Sequence, residues 1–121
     1  MKKILIIEDD SFLLELEAGK LKNEGYEIIT ASSGEEGLLK INEPNIEIIL
    51  LDLILPNFDG FEILKKLKET DELKHIPVIV FSNLSEEKDI LKSKELGASN
   101  FMVKSNFTLD ELVKQIKKVL E

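Results

Sequence analysis

Six residues carry the pattern in this 121-residue chain that could do chemistry. Glu8, Asp9 and Asp10 follow the apolar run of KILII, and Asp52 ends the isoleucine- and leucine-rich run that begins at Ile46. Ser82 closes VIVFS, and Lys104 closes NFMVK. Each stands where a short apolar run stops. Carboxylates gathered in one place repel one another unless a cation neutralises them. The ligands on offer are hard oxygens. There is no cysteine, and the only histidine, His75, precedes Ile76-Pro77 in a predicted loop and reads as an ordinary surface residue. Mg²⁺ is the cation that suits such a set. A carboxylate beside such an ion is a nucleophile for phosphorus and forms an aspartyl-phosphate. Lys104 would then supply positive charge to the new phosphoryl oxygens, and Ser82 a hydroxyl.

The elements that must bring these residues together alternate along the chain. Lys3–Glu8 reads as a buried strand. Ser11 is expected to cap a helix running to about Asn23, with Phe12, Leu13, Leu16 and Leu21 on broadly helical spacing and Gly25 closing it. Glu27–Ala31 is a second strand. Ser33 and Glu36 form an S-x-x-E capping-box pattern that opens a helix ending before Pro44. The central strand then runs from Ile46 to Asp52, with Pro56 and Gly60 punctuating its exit loop. Phe61, Leu64 and Leu67 mark a third helix, followed by the strand Val78–Ser82. Ser85 is expected to cap a fourth helix, with Ile90, Leu91 and Leu96 on one side and Gly97 as its stop. Asn100–Lys104 is the fifth strand, with Met102 in the core. Thr108 and Glu111 make another capping box, and Leu109, Leu112, Val113, Ile116 and Leu120 form an apolar stripe of helical period. The charge run KKLKETDELK reads as a solvated helix end.

Five strands alternating with five helices over short connections predict an α/β fold, a parallel sheet with helices on both faces. Right-handed crossovers favour the flavodoxin-like (βα)5 strand order 2-1-3-4-5. In that order the C-terminal ends of strands one, three, four and five share the edge where open α/β sheets bind ligands. Those ends carry Glu8-Asp9-Asp10, Asp52, Ser82 and Lys104.

Composition narrows the classes. The net charge is −8, and all sixteen basic residues are lysine. Nucleic-acid backbones need a basic face, so this segment reads as binding none. No apolar stretch reaches the roughly 20 residues of a membrane span. The apolar start is cut short by Glu8-Asp9-Asp10 and does not read as a signal peptide, so the chain reads as cytoplasmic. The length suits one domain, residues 1–121. No linker, repeat or low-complexity segment is visible.

The motifs IIEDD, LLDLILPNFDGFEIL, PVIVFSN and GASNFMVK, in that order, resemble the receiver domain of two-component response regulators, the CheY-like superfamily. The resemblance covers essentially the whole chain. Thirty residues separate Asp52 from Ser82 and fifty-two separate it from Lys104, which fits the family pattern. The resemblance implies that Asp52 is the phospho-acceptor, drawing phosphoryl groups from a histidine kinase or a phosphotransfer protein. It implies Mg²⁺ held by Asp9 and Asp52 directly, by Glu8 through water, and by the Ile54 carbonyl. Asp10 then follows the acidic pair without being a primary ligand. Ser82 would be the switch hydroxyl, Phe101 the switch aromatic and Lys104 the conserved cation. The implied output is a changed surface on helix four, strand five and helix five, read by a partner or output domain. Activity would be limited to the domain's own phosphotransfer and dephosphorylation. Nothing after the fifth helix encodes an output, so the chain reads as a stand-alone receiver or a module without its output segment.

This sequence departs from the family pattern in two places. Ser105 replaces the usual proline after the lysine, where a cis peptide is common. A cis bond without proline costs about 3–4 kcal/mol, which leaves this loop trans or strained. The SNF stretch is also one residue longer than in many transcription-factor receivers. Secondly, LVKQIKK in the last helix lacks the arginine of receivers that dimerise through helices four and five, so the chain reads as a monomer or weak dimer. Three other readings compete. A flavin-binding protein would need a hydroxyl- and glycine-rich first loop, where EDD presents negative charge. A phosphatase with an aspartate nucleophile would commonly place a second aspartate two residues on, at Ile54. A receiver used purely as a scaffold would have no need of the full acidic, Asp, Ser and Lys set. Apolar Ile54 and Leu84, each two residues after a site residue, would position a hydrolytic water poorly. A long-lived phosphoryl group is therefore expected.

Overall fold

The apolar runs become strands of one parallel sheet because helices cover both of its faces. The computed structural model describes residues 1–121. The strands are β1 (Lys3–Ile7), β2 (Glu27–Ala31), β3 (Ile46–Leu51), β4 (Val78–Ser82) and β5 (Asn100–Val103). The helices are α1 (Ser11–Asn23), α2 (Gly34–Lys40), α3 (Gly60–Glu69), α4 (Glu87–Glu95) and α5 (Leu109–Leu120). The strand order is β2-β1-β3-β4-β5, every pair parallel, as the alternation predicted.

Two cores flank the sheet. Leu5, Ile7, Leu51 and Val80 pack with α3 residues Ile63 and Leu64 on one side. Ile4, Ile6, Leu50, Phe81 and Met102 pack with α1 and α5 on the other. Alternate residues of a strand therefore enter opposite cores, so no position from Ile4 to Ile7 tolerates a polar side chain cheaply. Charge appears as soon as the strand ends. β1, β3 and β5 each stop one residue short of the expected boundary, leaving Glu8, Asp52 and Lys104 just outside the sheet. The ladder still reaches two of them: Glu8 N–H donates to Ala31 O and Asp52 N–H to Ile7 O, both at 3.0 Å. Their backbones are thus fixed while their side chains leave the sheet edge.

The helix starts differ from expectation in informative ways. Asp10, not Ser11, caps α1, its Oδ1 accepting from Leu13 N–H at 3.1 Å. Ser33 caps α2 as expected, but Glu36 reaches back to Ser32 N–H instead of closing the box on Ser33. Thr108 and Glu111 form the full reciprocal box on α5. Ser85 does not cap α4, which begins after Glu86 with no side-chain cap. Of the α4 residues only Ser93 is buried, and Leu91 is half exposed. Of the face expected of Ile90, Leu91 and Leu96, Leu96 packs against the core and Ile90 is half-buried, while Leu91 points outward.

α1 departs further. Phe12 is 71% exposed and Leu16 43%. Its inward stripe is instead Leu14, Glu17, Ala18 and Leu21, at the i, i+3, i+4, i+7 spacing of one helix face. The run KKLKETDELK is not wholly solvated either. Lys68 turns inward, donating to Lys74 O at 3.1 Å and Ile76 O at 2.8 Å, and burial lowers its pKa. Met102 is core, and His75 is an exposed turn residue.

Candidate functional site

Strand register assembles the cleft. Ile7 pairs with Leu51, so Glu8 and Asp52 leave adjacent strands at the same level. Ser82 pairs with Val103, which places Lys104 one step beyond on the outer strand. After Asp52 the chain turns through a small antiparallel ribbon, Ile54–Leu55 against Phe58–Asp59. Pro56 and Asn57 form its tip, with Asn57 at a φ of 55°, the left-handed conformation that asparagine tolerates. Gly60 then allows the ribbon to fold tightly, since a Cβ there would stand 2.5 Å from the Leu53 backbone.

Glu8, Asp9, Asp52, Ile54 and Lys104 line one open cleft of ≈370 Å³, together with Asp10 and Asn83. Glu8 and Asp52 are only 2% and 4% exposed, whereas Asp9 faces solvent. The Lys104 ammonium bridges the two buried carboxylates, 2.6 Å from Glu8 Oε1 and 2.6 Å from Asp52 Oδ2. Their other oxygens also have partners: Asp52 Oδ1 accepts from Ile54 N–H at 2.9 Å, and Glu8 Oε2 from Asp10 N–H at 3.2 Å. One lysine cannot balance this much negative charge. Burial pushes the Glu8 carboxyl above the usual carboxylate range, opposed by its Lys104 hydrogen bond and reinforced by the Asp52 charge. Burial works to lower the Lys104 pKa, but its hydrogen bonds to Asp52 and Glu8 outweigh that and hold it above the ordinary lysine value.

Carboxylate oxygens of Glu8, Asp9 and Asp52 come within 4.8 Å of one another. An oxygen-only set with surplus negative charge, and with one exposed member (Asp9) engaged in no side-chain hydrogen bond or ion pair, fits a hard divalent cation such as Mg²⁺.

Two expected residues are not in this cleft. Ser82 is fully buried beside it, its Oγ accepting weakly from Leu84 N–H at 3.4 Å. Phe101 lies further off, half-buried, in a groove of ≈290 Å³ between β5 and α4 that Ile90, Ser93 and Ala98 help to line. Phe101 pairs with Val80, two residues before Ser82, so both side chains belong to the α4 side of the sheet. Asn83, next to Ser82, was not singled out from sequence, where its only signal was its place one residue past a strand end. The loop after Lys104 is a short 3₁₀ turn (Lys104–Asn106), and every peptide bond in the chain is trans, the Lys104–Ser105 bond included.

A five-stranded parallel sheet with an acidic cleft and a lysine at its C-terminal edge defines a class of signalling domain, and comparison with known proteins identifies it. The profile of the response regulator receiver domain matches residues 4–117, and the chain belongs to that family. The chain is similar to the alkaline phosphatase synthesis transcriptional regulatory protein PhoP of Bacillus subtilis (strain 168), 35% identical over 98% of this chain and 48% of that one. It is 32% identical to the phosphate regulon transcriptional regulatory protein PhoB of Escherichia coli (strain K12), over 98% of this chain and 52% of the other. It thus spans about half the length of the curated relatives it matches. Among solved structures it resembles a CheY-like response regulator receiver domain protein from Methanospirillum hungatei JF-1. The TM-score is 0.91 and the identity 29%, covering 99% of this chain and 94% of the other. The fold is therefore the expected one, and the chain is a receiver domain of two-component response regulators.

Proposed function

We propose that residues 1–121 form a single cytoplasmic receiver domain that accepts a phosphoryl group on Asp52 from a partner phosphohistidine. The observation that carries this reading is the Lys104 ammonium held 2.6 Å from both Asp52 and Glu8, with the free Asp9 carboxylate in the same cleft. Glu8, Asp9, Asp52 and the Ile54 carbonyl would hold Mg²⁺. When bound, the ion supplies positive charge that screens the incoming phosphoryl oxygens from these carboxylates. In the transfer an Asp52 oxygen forms a P–O bond as the donor's P–N bond breaks, and the electron pair leaves with the imidazole. Ile54 N–H orients the Asp52 carboxylate, and Lys104 gives a positive partner to the oxygens that arrive. A histidine kinase or a phosphotransfer protein would be the donor, and exposed Phe12 and Ile54 give it an apolar footing near the cleft.

The signal would pass through Ser82 and Phe101. Ser82 holds only a weak 3.4 Å contact, so little opposes turning its hydroxyl toward the phosphoryl group. Phe101 borders a groove with room to receive it, and α4, which buries one side chain and has no side-chain N-cap, is lightly held. Repacking there would alter the α4–β5–α5 face for a downstream partner or output domain. The domain would do so as a monomer or weak dimer.

Intact mass after incubation with Mg²⁺ and acetyl phosphate tests the acceptor. Wild type is expected to gain one acid- and hydroxylamine-sensitive phosphoryl group, and Asp52→Asn none. Labelling of the variant would move the acceptor elsewhere. The phosphoryl group is also expected to be long-lived, because half-exposed Ile54 borders the cleft and Leu84 packs against core, so neither position offers a polar group to an attacking water. The double variant Ile54→Asn, Leu84→Glu should lose phosphate roughly tenfold faster in a single-turnover decay. Equal decay rates would remove these side chains from any role in lifetime.

A further inference from the structure

Glu17 is a carboxyl that the phosphoacceptor reading does not use. It lies on the core face of α1, is 2% exposed, and makes no side-chain hydrogen bond or ion pair. Its Oε1 is fully buried without a partner. Leu14, Ala18 and Leu21, which share that face, are all apolar. α1 starts at the cleft, where its cap Asp10 follows Asp9. Helical side chains lean toward the N-terminus of their helix, so Glu17 leans back toward the cleft from about two turns inside α1. The charges acting on it come from the cleft: Glu8, Lys104, Asp52 and Asp10. The other elements of this layer bring no compensating charge. α5 contributes Leu112 and Ile116, while its Asp110 and Lys117 are paired with Lys20 and Glu24. β4 contributes Phe81, and Tyr26 before β2 is the remaining titratable group packed against this core.

We infer that Glu17 is a proton-binding residue through which pH controls how much phosphoryl group the cleft retains, an inference that rests on the phosphoacceptor reading above. Converting the Asp52 carboxylate to its phosphoryl ester makes the cleft more negative, because a phosphoryl group carries about −1.5 to −2 charges near neutrality. A neutral Glu17 does not oppose that change, whereas an ionised one does, and a buried charge is screened far less than an exposed one. The coupling is reciprocal: phosphorylation tightens the proton on Glu17, and loss of that proton disfavours the phosphoryl group. Burial first, then the negative charges of Glu8 and Asp52, push Glu17 up to about 8, with Lys104 opposing. The device therefore changes state just above neutrality, where an ordinary carboxyl has long been ionised.

Two measurements on the whole chain test this. The first follows the Glu17 carboxyl carbon by NMR across pH without metal, in wild type and in Asp52→Asn, with Glu17→Gln fixing the assignment. The Glu17 midpoint is expected well above the ordinary carboxylate range and lower in Asp52→Asn. An ordinary midpoint, or one unmoved by Asp52→Asn, would overturn the inference. The second measures the phosphorylated fraction by intact mass with acetyl phosphate and Mg²⁺ between pH 6.5 and 9. Here the donor's P–O bond breaks, acetate leaves, and the new P–O bond forms on Asp52. The ratio of wild-type to Glu17→Gln labelling is expected to fall roughly three- to tenfold across that range, the scale of two carboxylates interacting through protein at an effective dielectric near 20. A constant ratio would overturn the coupling while leaving the acceptor intact. An absence of labelling in both proteins at every pH, under conditions that label an ordinary receiver, would instead overturn the acceptor reading and with it this inference.

Discussion

Glu17→Leu is expected to stabilise this protein by roughly 3 kcal/mol or more at pH 7, with much of the gain disappearing toward pH 4.5. The carboxyl keeps its proton to about pH 8 when folded, against an ordinary value of 4.5. Below 4.5 the group is neutral in both states and the raised value carries no penalty. Above it the unfolded chain gives up the proton while the folded protein still holds it. Stability then falls by about 1.4 kcal/mol per pH unit until the folded group also ionises. The loss attributable to Glu17 is thus roughly 3 kcal/mol at pH 7 and approaches roughly 5 kcal/mol beyond pH 8. Leucine removes the titration and adds apolar burial against Ala18 and Leu21. Glu17→Gln removes the titration alone, leaving a buried amide without partners. Urea unfolding at pH 4.5, 7 and 8.5 should give a wild-type profile that falls relative to both variants. Parallel profiles for wild type and Glu17→Leu would mean that the carboxyl ionises normally in the folded state.

That effect was hidden in the sequence by the rule that finds helices. A helix face is read from apolar residues, and SFLLELEAGKLKN offers Phe12, Leu13, Leu16 and Leu21. The structure turns Phe12 and Leu16 outward because Leu14, Ala18 and Leu21 must meet the sheet together, and Glu17 falls on the same stripe. Tertiary packing overrode the local pattern, and the position where the pattern failed became the one with unusual chemistry. α5 shows the opposite case. Its stripe from Leu109 to Leu120 faces the core and its Thr108–Glu111 box closes at the exposed helix start, so sequence and structure agree residue by residue.

The cleft was more legible than the helices, for a physical reason. Parallel strands buried on both faces admit no charge, so a carboxylate or lysine marks the strand end. The fixed strand order then converts sequence position into spatial proximity, which is why Glu8, Asp9, Asp52 and Lys104 were found together. Caps were harder. Asp10 and Ser11 are both good N-caps, and the choice went to the residue with extended backbone, a φ of −73° and ψ of 105°. The inward turn of Lys68 had no local signal at all. It depends on the carbonyls of Lys74 and Ile76 being presented by a loop that sequence does not define.

Lys104→Met, which keeps an unbranched stem of similar length and removes the charge, should separate the two tasks of this lysine. Glu8 and Asp52 would face each other almost fully buried with no cation between them. Removing one partner of a buried ionic group costs about 3–5 kcal/mol, and that is the destabilisation expected near pH 7 without metal. Acid should narrow the gap, because Glu8, already raised by burial, takes up a proton and removes the repulsion. In wild type the Lys104 pKa is raised above 10.5, so its contribution is present below that value and is lost as pH rises through the folded value. The gap should therefore be widest from neutrality to about pH 10. A divalent ion held by Glu8, Asp9 and Asp52 stabilises by mass action, so millimolar Mg²⁺ should recover more stability in Lys104→Met than in wild type. Phosphorylation from acetyl phosphate should stay impaired in the same samples, because charge supplied among the carboxylates does not replace a donor aimed at the phosphoryl oxygens. A stability gap indifferent to both pH and Mg²⁺ would assign the contribution of Lys104 to the packing of its stem, and the electrostatic account of the cleft would fall with it.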